Sequence, residues 1–372
     1  MNKNLMKVYE TDASQLKGRA LDVVFPTTIM EVRNFVAKSK RVVPRGAGTG
    51  LSGGCVPQHG LDVVLDLSKL TSISEFDKER MIVEVEAGVI LDELQAYLAR
   101  HGLEFPVNPS SHAVATIGGM IATNAVGSRA VKYGKTSDWV KWVEVVDGHG
   151  NLYRKGVTEL SDYAGMEGIT GVIVKACLKL SPLKKRTASL VPLTSISKVI
   201  EVVRGLKRDS SVSMIEFLDK KISKGLEMDE KYHLLIEYEN DSGFLKGEEY
   251  EAVLALRDKV YPFAAGEGYV RIEDPKILLD RFEKLMTWLE VHEIPVFGHL
   301  GVGILHPCFN HNQEKLVPEM MKVVKRLSGQ ITGEHGIGIL KRPFVEANDK
   351  KILINVKKRT DVLDKFNVGK VI

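Results

Sequence analysis

Apolar and polar positions change period from block to block along the chain. Thr28-Ile-Met-Glu31 fits a capping box, and apolar residues at helical spacing follow it to Lys38, which predicts a first helix. Val42-Val43 reads as a short strand. Two further strand patterns follow a glycine-rich stretch: Val63 to Leu67, and Ile82-Val83-Glu84-Val85-Glu86 with strict alternation. Leu91, Leu94 and Leu98 mark a second helix that Gly102 stops. A glycine-rich region from Pro106 to Gly134 leads into Val140 to Val146, which turns at Asp147-Gly148-His149-Gly150 and returns through Leu152-Tyr153.

The character changes at about Leu183. From there to Leu327 glycine is scarce, and the amphipathic segments Ile196 to Leu206 and Ile277 to Val291 predict helices over a sheet, hence a second domain. Clustered glycines return after Gly329, which suggests that the tail goes back to the site of the first domain. The class expected is α+β with antiparallel pairs. A length of 372 residues suits about two domains.

Composition removes several functions. With 44% apolar and 27% charged residues the chain is neither disordered nor fibrous. A net charge of +4, scattered through the sequence, does not imply nucleic acid. No apolar run nears the ~18 residues of a spanning helix, and Met1 to Glu10 has no signal core, so a cytosolic protein is expected. Cys55, Cys177 and Cys308 lie far apart, without the paired spacing of a zinc or iron–sulfur site or of a disulfide framework.

Pro44-Arg-Gly-Ala-Gly-Thr-Gly-Leu-Ser-Gly-Gly54 holds five glycines in eleven residues directly after a strand. Such a loop presents bare N–H groups to a diphosphate, with Arg45, Thr49 and Ser52 as further donors. The string Gly48-Thr-Gly50-Leu-Ser-Gly53 also matches the dinucleotide fingerprint. That fingerprint needs a helix next, whereas Pro57, Gly60 and a strand pattern follow, so a Rossmann site is excluded. Gly134-Lys135-Thr136 resembles the end of a P-loop, but Arg129 occupies the place of its first glycine.

A second constellation lies in Gly298-His299-Leu-Gly301-Val-Gly303-Ile-Leu-His306 and Thr332-Gly333-Glu334-His335-Gly336-Ile-Gly338. Imidazoles and a carboxylate suit a zinc-like ion with bonds of about 2 Å. On a helix His299 and His306 would stand about 10 Å apart along the axis. On a straight strand their odd separation puts them on opposite faces. Only a folded-back turn converges them, and Gly301 and Gly303 permit one.

Three segments together resemble the FAD-linked oxidoreductases of the vanillyl-alcohol oxidase and p-cresol methylhydroxylase fold, within the D-lactate dehydrogenase and glycolate oxidase flavin-subunit group. They are Pro44 to Gly54, Asn108-Pro-Ser-Ser111 with Ala115-Thr-Ile-Gly-Gly-Met-Ile-Ala-Thr-Asn124, and Gly165-Met-Glu-Gly-Ile-Thr-Gly-Val-Ile173, and the likeness is dense over residues 8–182. The resemblance implies a PCMH-type FAD-binding domain over 1–183, a substrate or cap domain over 184–328, and a tail, 329–372, that completes the site. It carries cofactor contacts over to Pro44, Arg45, Gly46, Ala47, Gly48, Thr49, Gly50 and Ser52; to Pro109, Ser110, Thr116, Gly118, Gly119, Thr123 and Asn124; and to Glu167, Gly168, Gly171 and Ile173. With no histidine in the first loop and no matching motif around Cys55, the FAD is expected to be non-covalent.

The same resemblance implies that His299, His306 and Glu334 bind a divalent metal, that His335 is the base, and that Arg257, with Arg271 as fallback, receives a substrate carboxylate. Val302, Ile304 and Cys308 depart from the family's usual Asp, Asn and Asn. The implied activity is oxidation of a small 2-hydroxy acid of the D-lactate or glycolate type. Electrons then pass to a quinone, an electron-transfer flavoprotein or an iron–sulfur subunit, peripherally at the membrane where the acceptor is there; a homodimer is compatible. The alternatives are a flavoprotein of the same fold resembling alkyl-dihydroxyacetone-phosphate synthase, and a non-catalytic flavin subunit.

Overall fold

The computed structural model describes residues 3–58 and 60–372. Its first half contains two larger sheets and a two-stranded ladder, Leu103–Glu104 with Ser181–Pro182. A parallel sheet has Asp62–Asp66 between Ala20–Val24 and Val42–Arg45. The crossover helix Ile29–Lys38 buries Val32 and Val36, and Thr28 caps it by accepting from Glu31 N. The Glu31 carboxylate accepts from Thr27 N at 2.7 Å, one residue earlier than the expected box. Against this helix and sheet lies an antiparallel sheet in the order Ile82–Glu86, Val172–Lys179, Val140–Val146, Leu152–Gly156, and Val146, Val172 and Val174 join Val32 and Val36 in one core.

Two short helices, Ile117–Thr123 and Ala130–Tyr133, lie inside the glycine-rich region. Gly118-Gly119 hides the first from propensity, since glycine costs about 1 kcal/mol in a helix. Packing explains it: a Cβ on Gly118 would stand 2.6 Å from Ala87 Cβ, so only glycine lets the helix press on the end of the strand Ile82–Glu86. Thr116 caps it by accepting from Gly119 N.

The second half is built on a six-stranded antiparallel sheet in the order Thr187–Leu193, Tyr232–Tyr238, Val212–Leu218, Val296–Gly298, His306–Asn310, Tyr269–Ile272. Ile196–Leu206, Phe282–Val291 and Val317–Arg326 cover one face through Ile215, Phe217, Leu234 and Ile236. Glu248–Asp258 covers the alternate residues Met214 and Leu235. The helix expected from Ile277 starts at Phe282. The reason is that Lys276 and Ile277 are held extended, with Ile277 N donating to Gly303 O and Lys276 exchanging two bonds with Gln330.

The tail crosses back. Residues 332–340 run along the first half, the helix Ala347–Thr360 follows, and Val42 N donates to Lys365 O while Asn367 N donates to Val42 O. Three buried lysines secure this return: Lys357, Lys365 and Lys370 donate to the carbonyls of Ile169, Gly148 and Gly54, respectively. Buried ammonium groups thus meet buried backbone oxygens, and Asn367 Nδ2 also donates to the Gly54 carbonyl.

A buried ion network joins the halves. Arg129 donates to both oxygens of Glu237 at 2.9 and 3.0 Å, Ser213 and Tyr250 donate to the same carboxylate, and Arg186 bridges Glu104 and Glu239. Burial opposes ionisation of Glu237, but the two guanidinium groups outweigh it and hold the carboxyl down at about 2. Because the folded value lies below the ordinary 4.5, this carboxylate contributes stability above pH 4.5 and loses it as pH falls toward 2. Glu237→Gln should lower unfolding stability at pH 7 by roughly 3–5 kcal/mol, since it strands a buried guanidinium. Urea melts should show the gap to wild type closing between pH 4.5 and 2; a gap that does not change with pH would contradict the assignment.

Candidate active site

A cleft of about 580 Å³ runs between the two glycine-rich regions and ends at the second domain and the tail. Every residue expected at the cofactor lines it except Asn124. The loop Pro44–Gly54 leans on the N-terminus of the helix Ile117–Thr123, where a Cβ on Gly46 would meet Thr116 Oγ1 at 2.3 Å. Gly50 has no atom within 4 Å of where its Cβ would stand, so bare backbone faces open space there. That is the surface a diphosphate needs.

Four side chains expected at the cofactor do other work. The Arg45 guanidinium turns away to the carbonyls of Thr11 at 2.8 Å and Val8 at 3.3 Å and lies over the Tyr9 ring, so it anchors the N-terminal segment. Asn124 ends its helix in the left-handed region at φ 52° and accepts from Ser137 N. Ser52 donates to the carbonyls of His335 and Gly336, and the Glu167 carboxylate accepts from Ile337 N and Gly338 N. The last two therefore hold the tail segment against the cleft. Burial pushes Glu167 up to about 7, against the pull of those two amides.

At the inner end stands the histidine cluster. Val296–Gly298 and His306–Asn310 pair as a hairpin, with Phe297 opposite His306. Its turn brings His299 beside His306, because Gly303 takes φ 77° and a Cβ there would stand 2.1 Å from Ile277 O. Glu334 Oε1 lies 3.3 Å from His299 Nε2 and 3.2 Å from His306 Nε2. Ligand atoms of His299, His306 and Glu334 all lie within 4.8 Å of one another. His335 stacks on His306 with ring centroids 5.0 Å apart and 12° between planes, and its Nδ1 is buried without a hydrogen bond.

Three acidic residues that the spacing did not single out hold this cluster. The Glu216 carboxylate accepts from His299 Nδ1 at 2.7 Å, and the Glu273 carbonyl faces His306 Nδ1 at 3.3 Å. Asp274 Oδ2 accepts from the backbone N–H of Gly333, Glu334 and His335 and from Thr332 Oγ1, while Lys341 pairs with its other oxygen. Glu216 was the more visible of these, as a lone acid in the apolar run Val212–Leu218.

The departures Val302 and Ile304 are packing residues. They meet Val126 and Ala130 of the first half, and Ile304 fills the space beside Gly333. Cys308 is fully buried in an apolar cluster with Ala264 and Ile272, its Sγ on the His306 carbonyl and its thiol raised by burial, so it stands outside the ligand set. Arg257 lies behind the cleft wall, its Nε 3.7 Å from Glu216, its Nη1 2.8 Å from Asp258 and its Nη2 unpartnered. It faces a void of about 20 Å³ with His299, Ser110 and Phe297, room for about one water. Arg271 pairs with Glu273 at 2.6 Å and does not line the cleft.

Charge at the cluster fits a cation. Burial disfavours the charged form of His299, yet Glu216 and Glu334 outweigh it and push the imidazole up to about 10. Burial likewise opposes the Glu334 carboxylate, and His299 and His306 hold it well below the usual range. One positive charge among these ligands is thus stabilised. His306 is pushed down to about 4 by burial, and burial also lowers His335. Both imidazoles are neutral near pH 7, a state in which an imidazole can accept a proton or a cation.

Comparison with known proteins places the chain. Residues 20–156 match the FAD binding domain, and residues 247–364 match the C-terminal domain of FAD linked oxidases. A glycolate oxidase subunit GlcD of Bacillus subtilis is 30% identical over 94% of this chain and 88% of its own length. A D-lactate dehydrogenase of Archaeoglobus fulgidus is 30% identical over 94% and 91%. A D-2-hydroxyglutarate dehydrogenase of Xanthomonas citri is 26% identical over 94% and 89%. The chain with the glycine-lined cleft and the histidine hairpin therefore belongs to the FAD-linked oxidoreductases that join an FAD binding domain to the C-terminal domain of FAD linked oxidases.

Proposed function

We propose that the protein is a dehydrogenase that oxidises a 2-hydroxy acid of the D-lactate or glycolate type to the 2-oxo acid, with non-covalent FAD and a zinc-like divalent ion. The observation that carries this reading is the His335 imidazole in the cleft wall, stacked on His306 and beside His299 and Glu334.

Oxidation of such an acid removes a proton from its hydroxyl and a hydride from C2. FAD, when bound, supplies the hydride acceptor, and a cation held by His299, His306 and Glu334 would make the hydroxyl more acidic. His335 takes the hydroxyl proton. Burial keeps it neutral, and the amides of Gly333, Glu334 and His335 on Asp274 fix its backbone. Glu216 orients His299 so that Nε2 turns toward Glu334, where an ion would be held, as carboxylates behind metal-binding histidines do. Arg257 is the proposed donor for the substrate carboxylate: its Nη2 is unpartnered, as is that of Arg271, but Arg257 shares a void with Ser110 and Phe297 of the cleft wall, and that void must widen to admit a carboxylate.

Cys55 also lines the cleft, but burial pushes its thiol up to about 11, which suits a flavin held without a covalent bond. All three cysteines are free and carry no cluster spacing, so electrons leave for an acceptor outside the chain: a quinone, an electron-transfer flavoprotein or an iron–sulfur subunit.

His335→Ala should keep its yellow colour and lose anaerobic flavin reduction by substrate by about 10²- to 10⁴-fold. Reduction at the wild-type rate would remove His335 as the base. Glu216→Gln should retain FAD but release the metal about 10- to 100-fold more readily in competition with a chelator. Unchanged metal retention would mean that Glu216 does not support His299.

A further inference from the structure

His112 stands at the junction of the two halves, behind a segment that lines the cofactor cleft. Ser110, Ser111, Val114 and Ala115 face the cleft, whereas His112, from the same turn, lines a separate void of about 400 Å³ between the halves. Backbone bonds fix the turn. Ala115 N donates to Ser111 O at 2.8 Å, and Leu91 N donates to Ala115 O at 3.0 Å, which docks the helix Leu91–Ala99 against it. His112 Nδ1 meets Asp92 of that helix at 2.7 Å, and its Nε2 faces Asp258 of the second half at 3.5 Å.

Asp258 ends the helix Glu248–Asp258 and lines the cleft. One of its oxygens accepts from Arg257 Nη1 at 2.8 Å, and the other faces His112. Glu251, from the same helix, also lines the void, where Glu104 and Glu237 are taken up by Arg186 and Arg129. His112 therefore has two carboxylates within reach, and an imidazole donates to both only when both of its nitrogens are protonated. A neutral ring turns a lone pair toward one of them.

We infer that protonated His112 is a positioning residue: by bridging Asp92 and Asp258 across the junction, it holds Asp258 back and leaves Arg257 to receive the substrate carboxylate. The inference rests on the 2-hydroxy-acid reading above, with Arg257 as the donor, and goes beyond it. Without the imidazolium, Arg257 alone balances Asp258, and a carboxylate in the cleft wall competes with the substrate for one guanidinium. The bond to Asp258, with Asp92 behind it, outweighs burial and raises the imidazole above its ordinary 6.5. The bridge's contribution is thus complete below pH 6.5 and is lost as pH rises through the higher folded value.

The test is stopped-flow anaerobic reduction of the bound flavin by D-lactate and by glycolate, from about pH 6 to about pH 10. In the wild type the half-saturating concentration should rise about fivefold through the His112 titration, as much as a partly exposed ion pair supplies, with the saturating rate unaffected by it. His112→Gln should show the raised value already at pH 7 and no further rise. His112→Arg, whose charge persists, should keep the low value throughout. The imidazole resonance that His112→Gln removes from the holoenzyme spectrum should titrate above 6.5 in the wild type and at lower pH in Asp258→Asn. An alkaline rise that persists in His112→Gln, or a resonance titrating at or below 6.5, would overturn the inference and leave the 2-hydroxy-acid reading intact. Failure of both acids to reduce the flavin would overturn both.

Discussion

One buried carboxylate sets the geometry on which the proposed chemistry depends. Asp274 gathers three consecutive backbone N–H groups, so the chain from Gly333 to His335 wraps around a single oxygen and presents the Glu334 and His335 side chains beside the hairpin. Its other oxygen is paired by Lys341, a lysine 2% exposed, from the same tail segment. Charged hydrogen bonds of this kind are stronger than neutral ones, and removing the carboxylate would strand three amides, the Thr332 hydroxyl and an ammonium. Glu334 and His335 are thereby positioned by the second domain, while Ser52 and Glu167 hold the following residues against the first. The tail is thus the piece through which the cofactor cleft and the histidine hairpin share one wall.

Local patterns made much of this visible in the sequence. The helix Ile29–Lys38 follows from its cap and its buried Val32 and Val36, and the strand Ile82–Glu86 from its alternation. The meeting of His299 and His306 required a turn, and glycines in a seven-residue interval supply one. The partners of Glu216 and Asp274 were illegible for a physical reason, although Glu216 stands out as a lone acid in an apolar strand. Their partners lie 83 and about 60 positions away, and nothing in a neighbouring residue records a contact of that range. Arg45 misleads for a related reason: a cation in a diphosphate-type loop suggests an anion, but here its guanidinium finds backbone carbonyls of the N-terminal segment.

The two departures between the histidines illustrate how the site tolerates change. Val302 and Ile304 are absorbed by packing against Val126, Ala130 and the bare Gly333, so the hairpin keeps its turn although polar side chains are missing. Apolar burial in this turn replaces whatever polar contacts such positions can make. The site accordingly relies for its charge on Glu216, Glu334 and the surrounding imidazoles.

The central claim, that the hairpin and the tail build a metal-assisted oxidation centre at the end of the FAD cleft, is tested most directly by anomalous diffraction from crystals of the zinc-loaded holoprotein at the metal's absorption edge. The account predicts one peak about 2 Å from His299 Nε2, His306 Nε2 and a Glu334 oxygen. A fully loaded protein with its only peak elsewhere would contradict it.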